Sequence, residues 1–586
     1  MTRFEIPHYC VPQRCGLCRF DIQGEDIVAS EQPLLADSAA GCLTLSVTET
    51  GRVGLTYSAR SFEEFEDRLF NLHCIAHCSI DVGYSLLLAN RYAFEPPTSN
   101  DRRRGARLQR RRAAILSIAL HCLTPELCLE IAGYIICEDA TEQFETLCFS
   151  RRSSDCSISF EKDIWAYEIA LEGISYVATL SNTFLDGGRK VLDYGQSPNL
   201  TEAYIIRDHF GIRDLVFAGS NSLDRKPDQN AVWWHTIPIS SVTTVQGKSD
   251  GIKLRSLSRG RPHSGSEGPL AIMDIAWPTP FEGTQIRSLR FGNLAPTLAD
   301  PLIPWTCRML PFLCFNPGIR GFSIAWSGRL VYLHAHVENE TMSHYDFVQA
   351  TYKNVVWVYF PMDWNEVLTH IWTRSGRFYR NTGLMFQTNA GRVVMAGPVL
   401  PPRVSQSSWK HLCAAGDPSA CLYFEYSKRG IHRLALLGSS GAFQHIPRLE
   451  TSTPCPGRNS MGEYFYSAAS LQNVHEIKLC RKTHLSHAPI TGMLLRYSDG
   501  HQACVGECGV QTFGETIDVS SSTKLFLGFM RTERKNPYLS KVELIQSNDE
   551  VSLHWLDLSW EGTLEWWFSY KDCKVHYGCQ SSPDPI

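Results

Sequence analysis

"GFSIAWSGRLVYLHAHVE" (residues 321–338) is two runs of alternating apolar and polar residues joined at Ser327-Gly328. Period-two alternation puts successive side chains on opposite faces of a strand, and Ser-Gly between two such runs is a hairpin turn. The signature recurs in "TGLMFQTNAGRVVMAGP" (382–398), which turns at Asn389-Ala390-Gly391, and in "ITGMLLRYSDGHQACVG" (490–506), which turns at Asp499-Gly500. Repeated hairpins of aromatic, β-branched strands imply sandwiches, barrels or prisms. The chain after residue 156 is therefore expected to be mostly β. One stretch stands apart: "GKSDGIKLRSLSRGRPHSGSEGP" (247–269) is Gly/Ser-rich and reads as a mobile surface loop.

At 586 residues and 66.0 kDa the chain exceeds what one hydrophobic core serves, so two to four domains are expected. A 43% hydrophobic and 20% charged composition with net charge −4 carries no global imbalance toward nucleic acid or an anionic membrane. The opening "MTRFEIPHYC" has no apolar core of a secretory signal. The most apolar window, "AAILSIALHCLTPELCLEIAGYIIC" (113–137), is interrupted by His121, Pro125, Glu126 and Glu130. A bilayer span needs about 20 predominantly apolar residues in a row. The expectation is a soluble protein of the cytoplasm or nucleus.

Eleven of the 21 cysteines precede residue 157, none lies between 157 and 306, and all 14 tryptophans fall at or after Trp165. The odd cysteine total argues against a secreted disulfide framework, and apolar-flanked thiols such as Cys122 and Cys128 read as small core residues. These two maps divide the chain at 1–98, 99–150, 151–310 and 311–586, the last boundary lying in a proline-rich stretch near 300–317. In the first segment "CLTLSVTETGRVGLTYS" (42–58) is a hairpin, and "SFEEFEDRLFNLHCIAHC" (61–78) reads as an amphipathic helix with Phe62, Phe65, Leu69 and Leu72 on one stripe. The second opens with "EPPTSNDRRRGARLQRRR" (95–112), seven arginines in the twelve residues from Asp101. That run is either a solvated linker or helix start, or a nuclear-import or nucleic-acid patch.

A metal site is the first candidate function. Cys15 and Cys18 form a C-x-x-C turn, which presents two thiolates from one tight loop to a tetrahedral zinc. The nearby cluster of matching chemistry is "LHCIAHC", with His73, Cys74, His77 and Cys78. Cys74, His77 and Cys78 are the candidates to complete the site. The order of knuckle, hairpin and second ligand pair is that of a treble clef, and "CGLCRFDIQGEDIVA" resembles the first knuckle of RING- and LIM-like fingers. Four protein ligands would leave no open position, so this Zn2+ would be structural. The plain alternative is a set of reduced cysteines in a small core.

"LTPELCLEIAGYI" (123–135) resembles the start of an F-box, with Leu123, Pro125 two residues on, and Leu127, Ile131 and Ile135 on one helical face. Thr124 can cap that helix, and Pro125 suits its first turn. The resemblance implies docking on the Skp-type adaptor of an SCF ubiquitin ligase, with the downstream region selecting a protein or glycan. The plain alternative is a helix packed on its own domain. The order of modules is also similar to that of a family of uncharacterised fungal F-box-like proteins, through "DIWAYEIALEGISYVATLSN" (163–182) and "DGIKLRSL" (250–257). The hairpins at 384–398 and 490–507 are similar to strands of jacalin-type lectins, although the sugar-holding loop of that family is not evident. Trp560, Trp566 and Trp567 would either line a sugar face or fill a β core.

Enzyme signals are sparse. The chain has no Gly-rich phosphate loop, no G-x-S-x-G elbow and no H-E-x-x-H. His334 and His336 put two imidazoles on one strand face, as a metal-dependent hydrolase would, but no partnering carboxylate is identifiable from sequence. The reading is a multidomain α+β protein: a small zinc-stabilised, treble-clef-like module, a short helical F-box-like segment, and two mainly-β domains, sandwich- or β-prism-like. Its expected role is interaction and not catalysis, with a lectin-like carbohydrate binder and a hydrolase as the alternatives.

Overall fold

The computed structural model describes residues 15, 18–20, 28–30, 44–47, 53–56, 69–71, 92–94, 96, 98–150, 153–184, 186–196, 200–219, 232–239, 243–259, 275–282, 285, 288–294, 307–316, 318–374, 382–400, 409–414, 421–427, 430–438, 446–447, 451–456, 463–533, 535–546 and 553–584. The chain divides into two compact units, Met1–Gly283 and Thr284–Ile586. The first two expected segments and residues 151–283 of the third lie in the first unit, and the expected boundary at residue 311 falls inside a strand, Cys307–Phe312. The fold is β-rich with few helices among the described residues.

In the first unit the described N-terminal pieces are short strands. β1 (Val28–Ser30) pairs antiparallel with β4 (Leu69–Asn71), and β2 (Thr44–Val47) with β3 (Val53–Thr56) as the expected hairpin. The helix expected over 61–78 is thus corrected at Leu69–Asn71, where the backbone is paired with β1. A three-to-four-residue spacing of apolar side chains is a weak preference that strand pairing overrides.

Three helices follow: α1 (Thr98–Ala119), α2 (Pro125–Tyr134) and α3 (Ile136–Ser150). The arginine run is therefore one helix, and it is not uniformly solvated. Arg104 is 3% exposed and forms a buried ion pair with Glu172, itself 1% exposed, with Nε donating to both carboxylate oxygens at 3.0 and 2.7 Å. Arg104 also donates from Nη2 to the Cys18 carbonyl at 2.9 Å and lies over the Phe20 ring at 4.6 Å. Burial alone would lower the affinity of this guanidinium for its proton, but the Glu172 charge outweighs it and raises the pKa. Outward-facing arginines make lesser contacts, Arg111 with Gln143 at 2.7 Å and Arg112 with Asp139 at 3.3 Å.

Glu172 occupies the hairpin turn between β6 (Ile164–Leu171) and β7 (Ile174–Ser181), after β5 (Cys156–Ser159). Glu172 and Gly173 have φ of +52° and +77°, the pair of left-handed positions that a tight two-residue turn needs. A glutamate there costs on the order of 1 kcal/mol, a strain the ion pair with Arg104 offsets. The remaining strands are β8 (Arg189–Leu192), β9 (Leu200–Arg207), β10 (Ile212–Gly219), β11 (Trp233–Pro238), β12 (Thr244–Ser249) and β13 (Leu254–Arg259). They form three antiparallel sheets, β7-β6-β8, β10-β9-β11 and β13-β12-β5. Alternate residues of all three, among them Ile164, Val177, Ile205, Leu215 and Val245, share one core.

The β12–β13 hairpin corrects the expectation of a mobile loop over 247–259, while 260–269 lie outside the described residues. Its turn is fixed from within: the Asp250 carboxylate accepts the Ile252 and Lys253 amides at 3.0 and 2.9 Å and pairs with the fully buried Lys253 at 2.9 Å. Glycine and serine content marks turn chemistry here and not mobility, with Gly251 at φ +94° supplying the bend. A second core joins the elements that sequence assigned to separate domains: Cys15 and Cys18, Leu108 of α1, Phe144 of α3, Tyr176 of β7 and Phe210. Cys128 is buried as expected, whereas Cys122 is exposed.

After β14 (Ile275–Ala276) in the first unit, β15 (Arg290–Asn293) and β16 (Cys307–Phe312) open the second, which contains every hairpin from which the β reading began: β17 (Gly321–Trp326) with β18 (Leu330–His336), Gly383–Thr388 with Val393–Ala396, and Ile490–Tyr497 with Gln502–Gly506. Their turn glycines Gly328, Gly391 and Gly500 all have positive φ. One extended core runs from Leu294 through Phe322, Phe386 and Leu495 to Val575.

Two outcomes follow for the first unit. Arg104→Ala should lower its stability by about 3–5 kcal/mol, because it strands a buried carboxylate. Arg104→Met with Glu172→Leu should recover most of that loss, both read by urea denaturation of the full chain. His209 provides a pH test: both its ring nitrogens are buried without a hydrogen-bond partner, and burial pushes its pKa down to about 4 from 6.5. The folded state then refuses a proton that the unfolded chain accepts, so stability falls as pH drops from 6.5 to 4. His209→Phe should remove about 2–3 kcal/mol of that acid sensitivity in melts at pH 7.5 and 4.5.

Candidate functional site

The segment 123–135 forms a helix that begins as its capping residues imply. Thr124 is the N-cap of α2, its side chain accepting the Leu127 amide at 3.4 Å, and Pro125 occupies the first helical turn. Within α2, Cys128 and Ala132 are buried, while Leu127 is 47% exposed and Leu129, Ile131 and Tyr134 also face outward. Among the described residues, seven of the eighteen exposed large apolar side chains fall in positions 115–134: these four with Ile115, Ile118 and Leu120. The inward face is small because α1 packs against it, and Gln109 of α1 reaches the Leu129 carbonyl at 3.0 Å. Leu123 is half-buried, and Ile135 is the C-cap beyond the helix end, also half-buried. The expected stripe of Leu127, Ile131 and Ile135 therefore stops at Ile131, and Tyr134 takes the outer position.

Cys15 and Cys18 lie together in a tight turn. The Cys15 amide donates to the Phe20 carbonyl at 2.9 Å, the Arg19 amide donates to the Cys15 carbonyl at 3.0 Å, and Arg19 is left-handed at φ +62°. Both cysteines are buried against Leu108 and Phe144. His73, Cys74, His77 and Cys78 lie outside the described residues.

The carboxylate that sequence reading could not find for His334 and His336 is Glu340. Strand β18, Leu330–His336, sends Leu333 and Ala335 into the main core and both histidines to the opposite face. The helix Ser343–Thr351 packs on the same side of the sheet, with Tyr345 and Val348 against Ala325 and Trp357. The segment between them brings Glu340 back over β18. One Glu340 oxygen bonds His334 Nε2 at 2.8 Å and the other bonds His336 Nδ1. His344, on the helix, stacks on His334 with ring centroids 3.7 Å apart.

The charge states follow from these surroundings. Burial, reinforced by the neighbouring imidazoles, lowers His336 to about 4 and His344 to about 3, so both rings are neutral at pH 7. Burial alone would raise Glu340, but hydrogen bonds and charge from the two histidines outweigh it and hold the carboxyl below its usual range. His336 Nε2 meets the Ser323 hydroxyl at 2.7 Å, which completes a Ser–His–Glu chain. That chain is not a nucleophile arrangement. Ser323 is fully buried on a central strand, and its hydroxyl is also bonded to Tyr345 at 2.6 Å, leaving no approach for a substrate carbonyl.

The tryptophans proposed for a sugar face divide. Trp566 and Trp567 are fully buried, and Trp567 donates to Thr453 at 2.9 Å, so both fill the core; Trp560 is half-buried. No helix among the described residues is long and apolar enough to cross a membrane. No protein-family model matches this chain, and no curated protein matches it significantly. Glu340 and His344 escaped sequence reading because the first lies in an irregular connection and the second on the helix after it, and spacing along the chain does not relate either to the face of the strand.

The cap is testable directly. Thr124→Ala should cost α2 about 1 kcal/mol, seen as faster amide hydrogen exchange at Leu127 and Cys128, with the β sheets unchanged.

Proposed function

We propose that the chain is an interaction protein whose α1–α2 surface docks a Skp-type adaptor of a ubiquitin ligase while its β regions select a protein or glycan target. The carrying observation is the outward face of α2. A helix that served only its own domain would bury Leu127 and Ile131, whereas here both are exposed beside Leu129 and Tyr134. Fully burying such a side chain contributes about 1.5–3 kcal/mol, so a partner covering three or four of them would gain a hot spot. The resemblance of "LTPELCLEIAGYI" to an F-box supports this occupant. The burial of Trp566 and Trp567 favours a protein target over a lectin-like sugar face.

The Cys15–Cys18 turn is read, in the same proposal, as half of a structural zinc site completed from Cys74, His77 and Cys78. Its support is the compact backbone closure around Cys15 and the tie from Arg104 to the Cys18 carbonyl. Zinc there would hold the N-terminal module against α1 and so orient the docking helices.

Capture of the full chain by a recombinant Skp-type adaptor tests the reading. Leu127→Asp and Ile131→Asp should each abolish capture while changing stability by less than about 0.5 kcal/mol, because both sites are exposed. Capture that is absent in the wild type, or unaffected by both substitutions, would contradict it.

A further inference from the structure

We propose that His334, His336 and His344, with Glu340 as fourth donor, form a binding site for a divalent transition-metal ion of the zinc type. One ligand nitrogen from each of the three rings falls within a 4.8 Å cluster. Imidazole and carboxylate donors of this number suit a borderline ion and not calcium or magnesium, which take all-oxygen shells.

The wiring around the rings is that of a held ligand set. A metal-binding imidazole is generally oriented by a hydrogen bond at its second nitrogen. His336 has that bond from Nε2 to Ser323, and Ser323 is in turn fixed by Tyr345, whose oxygen accepts the Val510 amide at 3.0 Å. His344 has it through the Thr341 backbone, which leaves its buried Nε2 without any hydrogen-bond partner. A buried polar atom without a partner is rare and calls for an explanation, and a metal-directed lone pair is one. The carboxylate of Glu340 meanwhile joins His334 and His336, so three of the four donors already converge.

The site is reachable but not open. The His334 and Glu340 side chains are 22% and 12% exposed, against 4% for His336, so an ion enters past the first two. Binding requires His344 to turn from its stack on His334 and the nitrogens to close to roughly 3.4 Å, as Zn–N bonds of about 2.1 Å demand. A shell of three imidazoles and a carboxylate is closed, with no position for a reacting water. Such a site clamps β18 to the helix that follows it. It lies in the second unit and uses none of the residues of the docking surface or of the Cys15–Cys18 turn.

The experiment is titration of the full chain with Zn2+ at pH 7.5, followed by metal analysis, for the wild type, His344→Leu and His334→Asn. His344→Leu removes the partnerless Nε2 together with the bond to the Thr341 backbone, and near-UV circular dichroism checks that the variant folds. The partly exposed His334→Asn is the second, independent removal. The wild type should take up one more equivalent than either variant, or bind it more than ~100-fold more tightly, beyond the ~10–100-fold that loss of an orienting contact alone brings. With Co2+, that extra equivalent should give tetrahedral visible bands without thiolate charge transfer, distinguishing it from a cysteine site. Equal uptake by all three proteins, or an extra equivalent with thiolate character, would overturn the proposal.

Discussion

The first unit hangs on the buried pair of Arg104 and Glu172. One guanidinium meets a carboxylate in a β turn, a carbonyl in the Cys15–Cys18 turn and the faces of Phe20 and Phe210. A charge so deeply buried is tolerable only when opposed and fully hydrogen-bonded, and Arg104 satisfies both conditions. The geometry is specific because the planar fork can address carboxylate and carbonyl together, which a lysine could not. The helices are therefore attached to the β sheets at a defined angle and are not a tethered appendage.

That attachment explains why α2 can show an apolar face. Its inner side is narrow, Cys128 and Ala132, and fits against α1, which Arg104 and Arg107 anchor to the Glu172 turn. The larger side chains are left outside because the space beneath the helix is already filled. An exposed stripe on a rigidly mounted helix loses little entropy on docking, which suits recruitment. The second unit serves a different end: its sheets share one core, and the helix Ser343–Thr351 covers a polar face of β18 that the core cannot use.

The β architecture was legible where period-two alternation met a turn glycine, as at Gly328, Gly391 and Gly500. It was illegible at 244–259, because a Gly/Ser-rich composition looks like a loop until Asp250 is seen tying the turn to Lys253. Leu69–Asn71 misled in the opposite direction, since a helical spacing of apolar residues said nothing about β1 as a partner. In the histidine centre, His334 and His336 could be placed on one face from spacing alone. Glu340 and His344 could not, because an irregular connection followed by a helix returns them to the strand only in three dimensions. The arginine run showed its charge but not that one of its seven members is buried, since the partner lies 68 residues away.

Hydrogen–deuterium exchange of the full chain with and without a Skp-type adaptor tests the central claim most directly. The account predicts protection concentrated in peptides covering 115–134, with Arg104 and the β6–β7 turn already protected in the free protein. Protection confined to the β strands, or a free protein in which α1 exchanges as fast as an isolated helix, would contradict it.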